Sequence, residues 1–303
     1  MKYAIKRRTI GSKNSISISV EEFDSVRDAR EGMAEILDIE EKFNIVLENY
    51  AEFERMLLNV SLDRMLFSGH DWSAAMNELH AINRTLVNLL STCRVYIDQV
   101  PQNLGAIFKG DSSPVEVLRK QMATEYDGHL GYRVLEAMRN YSQHRALPLQ
   151  NLSHGLKPVD RAKKRLIEHY VQISIDVSRL EEDKLVKRQV VDELKAIDRY
   201  VDVKPLIREY LECFMRLHHT VRDVIADRVN KSDEIILTIL ERYRTTFNED
   251  VLALGVVAID DDDKVVEEIP VFDEPVRRRK WLIKKNHLIT NLSFHFITSE
   301  VEA

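Results

Sequence analysis

Hydrophobic residues recur at helical spacing along most of the chain. From Glu21 they follow one another at intervals of three and four residues with no intervening proline, which predicts one long helix or two nearly collinear helices. The polar segment 68–71 interrupts this pattern, and Asp71 or Ser73 is placed to cap a second helix that runs towards Pro101. We expect the two helices to form an antiparallel hairpin.

A third predicted helix begins at a polar segment that contains a proline. Residues 111–114, Asp-Ser-Ser-Pro, supply a cap and a proline near the first helical position. The helical pattern then runs from Val115 to about His144, and Pro148 ends it. Three further helices are predicted, with the polar residues 230–233 as the break before the last one, and they span 185–200, 203–229 and 232–247.

Alternation of apolar and polar residues marks the two ends of the chain. Within 1–20, two short alternating segments flank a Gly-Ser turn, which predicts a short β ribbon or arm. Near the other end, 251–259 and 265–272 flank the acidic turn 260–263 and predict a β-hairpin. That turn lacks the glycine and the terminal glutamate of an EF-hand loop, so no calcium site is predicted there.

The character of the chain changes after Pro158. The segment 171–177 alternates between apolar and polar side chains, as a strand would, but the helix-like segment 161–170 leads directly into it. Periodicity therefore leaves both strand and helix open at this place.

Composition indicates a folded, mainly α chain. Hydrophobic residues make up 44% of the 303 residues and charged residues 31%, close to globular averages. Only 9 glycines and 7 prolines are present, so turn-forming residues are scarce and long helices are expected. We predict a helical bundle followed by a second helical region with a small β element; the parts are a β ribbon or arm at 1–20, a helical bundle at 21–150, a second helical region at 159–250, and a β-hairpin with a basic tail at 251–303.

The number of cysteines and the hydropathy of the chain indicate the cellular compartment of the protein. Two cysteines, Cys93 and Cys213, cannot form a disulfide framework, which favours a reduced environment. The basic N-terminal residues are not followed by the apolar region of a signal peptide, and no run of 18 apolar residues occurs. We therefore expect a soluble cytoplasmic protein with no membrane partner.

The overall charge excludes a protein that is basic as a whole. Lys and Arg number 44 against 50 Asp and Glu, which gives a net charge of −6. A local basic segment near the C-terminus is the exception, and such a segment can grip an RNA backbone while an aromatic ring stacks on a base. A solvated tail, or one paired with the acidic turn 260–263, is the alternative for its members, which are Arg277, Arg278, Arg279, Lys280, Trp281, Lys284 and Lys285.

One motif near the end of the third predicted helix carries candidate chemistry. It reads Arg139-Asn140-x-x-x-His144. At about 100° per residue, Asn140 and His144 lie within about 140° of Arg139, and Arg133 and Glu136 share this polar side. The apolar residues of the helix point the other way; they are Val134, Leu135, Met138 and Tyr141.

An arginine, an amide and an imidazole on one face suit phosphodiester chemistry. A histidine that titrates near pH 6.5 can move protons to and from ribose oxygens. A guanidinium can stabilise the charge that grows on the phosphate in the transition state, and the amide can orient the imidazole or the phosphate. Neither a metal nor another cofactor is required for this reaction, and none is predicted.

The motif resembles the R-N-x-x-x-H signature of the HEPN superfamily of helical ribonucleases, which occur in toxin–antitoxin, abortive-infection and RNA-guided defence systems. The resemblance covers about ten residues in a compatible helical setting. It implies a HEPN-like four-helix bundle, metal-independent RNA cleavage by 2′-hydroxyl transphosphorylation, and a cognate antitoxin or regulator as a partner. It assigns acid–base catalysis to His144, phosphate stabilisation to Arg139 and orientation to Asn140. Arg133 and Glu136 are supporting candidates because they lie on the same side of the helix.

The HEPN pattern requires two motifs at a shared site, whereas this chain contains one strict motif. A homodimer with the motif helices facing each other across a twofold axis is therefore expected. The looser pair Arg64 and His70 has the spacing without the polar residue after the arginine, and we interpret it as coincidental.

Two other functional classes compete with the nuclease interpretation. A non-catalytic helical scaffold or dimerisation protein would use the motif only for hydrogen bonds, and a nucleic-acid-binding regulator would rely on the basic tail. Metal binding has little support in the sequence. Glu125 and His129 have the spacing of a common helix-surface pair, and His219 with Asp223 lacks a third ligand.

Overall fold

The computed structural model describes residues 1–8, 14–68, 71–161, 164–182, 186–295 and 297, without the side chains of 160, 161, 164 and 165. The described chain is mainly helical, as predicted, and it contains two small antiparallel sheets. In chain order the elements are β1 (Lys2–Arg7), β2 (Ser15–Ile18), α1 (Val20–Leu66), α2 (Trp72–Ile107), α3 (Ser113–Gly128), α4 (Leu130–His144), β3 (Asn151–Arg161), β4 (Lys164–Asp176), α5 (Val177–Glu181), α6 (Arg188–Lys195), β5 (Tyr200–Asp202), α7 (Lys204–Phe247), β6 (Leu254–Ile259), β7 (Val265–Val271) and α8 (Glu274–Lys285). No helix within these described ranges is long and apolar enough to cross a membrane.

The chain forms two compact units, each assembled from distant parts of the sequence. The first unit comprises Met1–Lys42, Gln99–Val117 and Thr220–His287, and the second comprises Phe43–Asp98, Leu118–His219 and Leu288–Ala303. The long helices α1, α2 and α7 each contribute residues to both units.

A four-stranded sheet of order β2-β1-β6-β7 organises the first unit. The predicted N-terminal ribbon and C-terminal hairpin are confirmed as strands, although the turn at Gly11 and Ser12 lies outside the described residues. Ile5 of β1 is opposite Ile16 of β2 on one side and Val256 of β6 on the other. The two ends of the chain therefore share one sheet, a pairing that the sequence pattern does not reveal.

Close helix packing in the first unit explains why α7 does not break where predicted. The predicted break at 230–233 is wrong, because α7 continues to Phe247. Ser232 is buried, and a Cβ added to Gly32 of α1 would lie 3.7 Å from its Oγ, so two small residues allow the helices to approach. The polar residues at this point thus serve packing rather than helix termination.

A helical bundle forms the core of the second unit. Its aromatic interior includes Phe43 of α1, Tyr96 of α2, Tyr132 of α4 and Phe214 of α7, all of them buried. The imidazole of His218 stacks on Phe43 with ring centroids 3.8 Å apart, and its Nδ1 is hydrogen-bonded to the Tyr96 hydroxyl at 2.9 Å. A polar ring is thus accommodated in the core by stacking and by its hydrogen bond to Tyr96.

The N-terminal ends of α2 and α3 follow local capping signals, whereas the C-terminal end of α2 does not follow its proline. Asp71 accepts a hydrogen bond from the Ala74 backbone N–H at 2.8 Å, which confirms the predicted cap. Asp111 accepts from Ser113 N–H at 2.9 Å at the start of α3. Pro101 does not end α2, because buried apolar residues continue the helix to Ile107.

The second sheet resolves the open choice at 171–177 in favour of a strand. β4 extends to Asp176, whose carboxylate accepts a hydrogen bond from Ser178 N–H and so caps α5. Residues 164–170 of the helix-like segment before it are also part of β4, and β3, which was not predicted, pairs with β4 along its length. The order β3-β4-β5 makes β3 an edge strand, where Pro158 removes no ladder hydrogen bond from the sheet interior.

Two of the predicted helices differ in their bounds from the helices of the structure. The helix predicted over 185–200 is shorter, because α6 ends at Lys195 and Tyr200 already belongs to β5. The single helix predicted from Val115 to His144 is two helices, since Gly128 ends α3 and His129 caps α4 in an extended conformation.

Candidate functional site

Helix α4 positions the candidate motif in the second unit. Its apolar stripe is buried as the 100° spacing predicts, and the buried side chains include Val134, Leu135, Met138 and Tyr141. Arg139 and Asn140 are half-buried on the opposite side, whereas His144 is exposed in the last turn. Burial of one face therefore fixes the orientation in which the helix presents the motif.

Arg139 is held by neighbours on its own helix. Its Nη2 donates to Asn140 Oδ1 at 2.6 Å and its Nη1 donates to Gln143 Oε1 at 3.0 Å. Its Nε lies 3.7 Å from Glu136 Oε2. Asn140 therefore orients the guanidinium, a contact that the sequence did not predict, since it suggested the imidazole or the phosphate as the partner of this amide.

Glu136 connects the motif to the bundle core. Its Oε1 accepts a hydrogen bond from the Tyr210 hydroxyl at 2.8 Å, and its Oε2 lies 4.0 Å from Arg94 Nη1. Burial and the nearby Cys93 and Glu136 raise the pKa of Tyr210 well above its usual value. Tyr210 consequently stays a neutral donor that anchors Glu136 beside Arg139.

His144 is accessible to solvent. Among the described hydrogen bonds, none joins its ring to Arg139 or Asn140. Its exposure differs from the burial against Leu147 or Pro148 that a purely structural histidine would show. The ring is therefore free to meet a ligand or another subunit at the end of α4.

Arg133 donates hydrogen bonds to the end of α3 and to α6. Its Nη1 donates to the backbone carbonyls of Tyr126 and Asp127 at 2.9 and 2.7 Å, and its Nη2 donates to Glu193 Oε2 of α6 at 2.6 Å. The Arg133 hydrogen bond lowers the pKa of Glu193. In this structure Arg133 thus joins α4 to the end of α3 and to α6.

The predicted basic tail contains a helix, α8, that packs into the first unit. Arg279 is buried and donates to Asp233 of α7 at 2.5 Å. Arg278 donates from Nε to Glu41 of α1 at 2.7 Å, and Arg277 pairs with acidic residues at the start of α8. These three arginines are therefore engaged with acidic groups of the same unit.

The remaining members of the basic segment lie on the exposed side of α8. Trp281 is 49% exposed, with the Arg278 guanidinium 4.6 Å and the Lys285 ammonium 5.3 Å from its ring. Lys280 and Lys284 are exposed as well. A role of this surface in RNA binding stays a prediction.

A pocket lined by two histidines lies where β3 and β4 meet α1. A pocket of about 190 Å³ is lined by residues that include Arg64, His154 and His169. Arg64 Nη2 donates to Glu78 Oε2 at 2.8 Å, and His154 Nε2 lies 3.2 Å from the same oxygen. His70, which has the loose motif spacing from Arg64, lies outside the described residues.

Sequence reasoning missed a buried polar cluster at the start of α4. The predicted surface pair of Glu125 and His129 is wrong, because Glu125 is 2% exposed and contacts Arg216 of α7. Burial raises the pKa of Glu125, but the hydrogen bond and charge of Arg216 outweigh it and the net pKa is lowered. Cys213 completes the cluster, and no local sequence signal links residues so far apart.

No protein-family model, curated protein or solved structure matches the chain. Any inference about function therefore rests on the side chains on and around α4.

Proposed function

We propose that the second unit is a HEPN-type bundle and that the chain is a metal-independent endoribonuclease acting through Arg139, Asn140 and His144. The observation that carries this proposal is the amide-clamped Arg139 on the same helix as an exposed His144. A defence effector or toxin restrained by a cognate antitoxin or regulator is the corresponding cellular role.

The proposed reaction is transphosphorylation of RNA. His144 removes the proton of a 2′-hydroxyl, whose oxygen attacks the adjacent phosphorus while the bond from phosphorus to the 5′-oxygen breaks. A histidine returns a proton to the leaving 5′-oxygen, and Arg139 stabilises the charge on the phosphate. The products carry a 2′,3′-cyclic phosphate and a 5′-hydroxyl.

Helix geometry supports a site shared by two subunits. His144 lies five positions after Arg139, which corresponds to about 7.5 Å along the axis and about 140° around it. Arg139 and His144 both lie on the polar side of the helix, but at its two edges, whereas a twofold-related helix can bring its own His144 opposite Arg139. A homodimer is accordingly part of the proposal.

Charge opposes this arrangement, but Glu136 reduces the electrostatic cost. Two arginines brought together across a twofold axis repel each other, and Glu136 beside each Arg139 offsets part of that repulsion. The Tyr210 hydrogen bond fixes Glu136 where this compensation is needed. A bound phosphate would supply the remaining negative charge.

The test is cleavage of end-labelled single-stranded RNA in the presence of EDTA. His144→Ala and Arg139→Ala should each lower the rate by about 100-fold or more, the usual contribution of such groups. His80→Ala, which removes an exposed histidine of α2, is the matched control and should cleave normally. Equal cleavage by wild type and His144→Ala, or loss only in His154→Ala or His169→Ala, would refute the proposal.

A non-catalytic scaffold is the second candidate, and one observation favours it. Both Nη atoms of Arg139 already donate to Asn140 and Gln143, so that part of the guanidinium is engaged without a ligand, whereas its buried Nε has no hydrogen-bond partner. A scaffold role predicts that Arg139→Ala changes stability or dimerisation, measured by urea unfolding and sedimentation, while no RNA is cleaved by wild type.

A further inference from the structure

Three side chains of metal-binding type converge in the second unit, about four helical turns from His144. Glu125 near the end of α3, His129 in the turn and Cys213 of α7 each offer one ligand atom, and these atoms lie within 4.8 Å of one another. Glu125 Oε2 and His129 Nε2 are 3.4 Å apart. Two ligands of a tetrahedral zinc ion with bonds of about 2.0 Å are separated by roughly 3.3 Å.

A cation already occupies the centre of this cluster. Nη2 of Arg216 lies 2.7 Å from Glu125 Oε2, 2.9 Å from His129 Nε2 and 3.2 Å from Cys213 Sγ. Typical bonds from zinc to oxygen, nitrogen and sulfur are about 2.0, 2.0 and 2.3 Å. A zinc ion in place of Nη2 therefore requires each ligand atom to move by less than about 1 Å.

The imidazole of His129 is oriented as a metal ligand would be. Its Nδ1 lies 3.1 Å from Glu209 Oε1, and Arg216 Nη2 donates to its Nε2. The proton of the neutral ring therefore sits on Nδ1, and the Nε2 lone pair points into the cluster. Glu209 Oε2 accepts from Gly131 N–H at 2.6 Å, which fixes the carboxylate that orients the ring.

We propose that Glu125, His129 and Cys213 form a zinc site in which the metal exchanges with the Arg216 guanidinium. The exchange conserves charge, because zinc brings two positive charges while the guanidinium and the thiol proton each remove one. Arg216 is 40% exposed and its Nη1 lies 3.9 Å from Oε2 of the buried Glu212, so the displaced side chain keeps an acidic partner. Water completes the coordination, as in zinc sites with three protein ligands.

The test is titration of the reduced full-length protein with Co²⁺, followed by displacement with Zn²⁺. Wild type should show the near-ultraviolet charge-transfer band of a cobalt–thiolate bond, and zinc should abolish it. Cys213→Ser should lose the band, whereas Cys93→Ser, which changes the other buried cysteine, should keep it. Arg216→Met should bind at least about tenfold more tightly, because no charge-assisted hydrogen bonds have to be broken.

The Glu209→Gln variant tests whether Glu209 orients His129 as a zinc ligand. It should keep the band but weaken cobalt binding by about 10- to 100-fold, the usual effect of altering a group that orients a ligating histidine. Absence of a charge-transfer band in wild type at saturating cobalt would overturn the proposal, whatever the variants do. Persistence of the band in a Cys213→Ser protein with wild-type circular dichroism would also overturn it. Neither result bears on the metal-independent RNA cleavage, which is assayed in EDTA.

Discussion

Replacement of Gly131 by alanine should destabilise the second unit, although alanine is the better helix former. Gly131 lies in the first turn of α4, where that helix meets α7. A Cβ at this position would lie 2.5 Å from the backbone carbonyl oxygen of Leu206 and 2.7 Å from Glu209 Oε2. Since the first of these atoms belongs to helix backbone, it cannot rotate away, and α4 has to move.

The expected magnitude follows from three contributions. Helix propensity favours alanine by about 1 kcal/mol. Overpacking costs about 1–3 kcal/mol, and displacement of the Gly131 N–H from the Glu209 carboxylate removes a charge-assisted hydrogen bond of about 1.5–3 kcal/mol. The free energy of unfolding should therefore fall by about 1.5–5 kcal/mol.

Urea unfolding followed by circular dichroism measures this change. Gly128→Ala is the matched control, because a Cβ there meets nothing within 4 Å and its φ is not positive. The control should be unchanged or more stable by up to about 1 kcal/mol. If Gly131→Ala unfolded at the same urea concentration as the control, α4 and α7 would not approach as closely as the Gly131 contacts require.

Three shorter predictions concern other contacts. Arg222→Met should lower the free energy of unfolding by about 3–5 kcal/mol, because it removes the guanidinium that neutralises the buried Glu40 at 2.7 and 2.8 Å; a loss below about 1 kcal/mol in urea unfolding would contradict this. The Arg133 hydrogen bond lowers the pKa of Glu193, so this carboxylate stabilises the fold above its unfolded pKa of about 4.3 and ceases to do so as pH falls through the folded value. Arg133→Gln should flatten the dependence of the urea midpoint on pH below about 5, and an identical slope would be the contrary result. Trp281→Ala should weaken RNA retention in filter binding at low salt if α8 stacks on bases, and unchanged retention would exclude that role.

Local signals were sufficient for the features that depend on a few neighbouring residues. Asp71 caps α2 as predicted, since an N-cap needs only its own side chain and the next turn. The orientation of α4 is likewise confirmed, because the period of 3.6 residues places Leu135 and Met138 on one face and Arg139 on the other.

Features set by distant residues could not be read from the sequence. The break at His129 depends on Glu209, which binds both that ring and the Gly131 N–H from 78 residues further along the chain. The polar residues around Ser232 resemble a helix end, but close packing against Gly32 keeps them helical. The buried cluster escaped detection for the same reason, since Cys213 is far from its neighbours in sequence.

The two candidate sites lie at opposite ends of α4, and this separation decides how they can be related. From Gly131 to His144 the helix rises by about 20 Å, at 1.5 Å per residue. A zinc ion held at the first turn is therefore too remote to activate a nucleophile or polarise a phosphate beside His144. Its influence on cleavage could act only through the position of α4 relative to α7, because Glu209 holds both the zinc ligand His129 and the first turn of the motif helix. Chelation should accordingly leave the cleavage chemistry intact while Arg216 returns to the cluster. An Arg216→Met protein, which has no such replacement cation, should instead lose stability and activity together when zinc is removed.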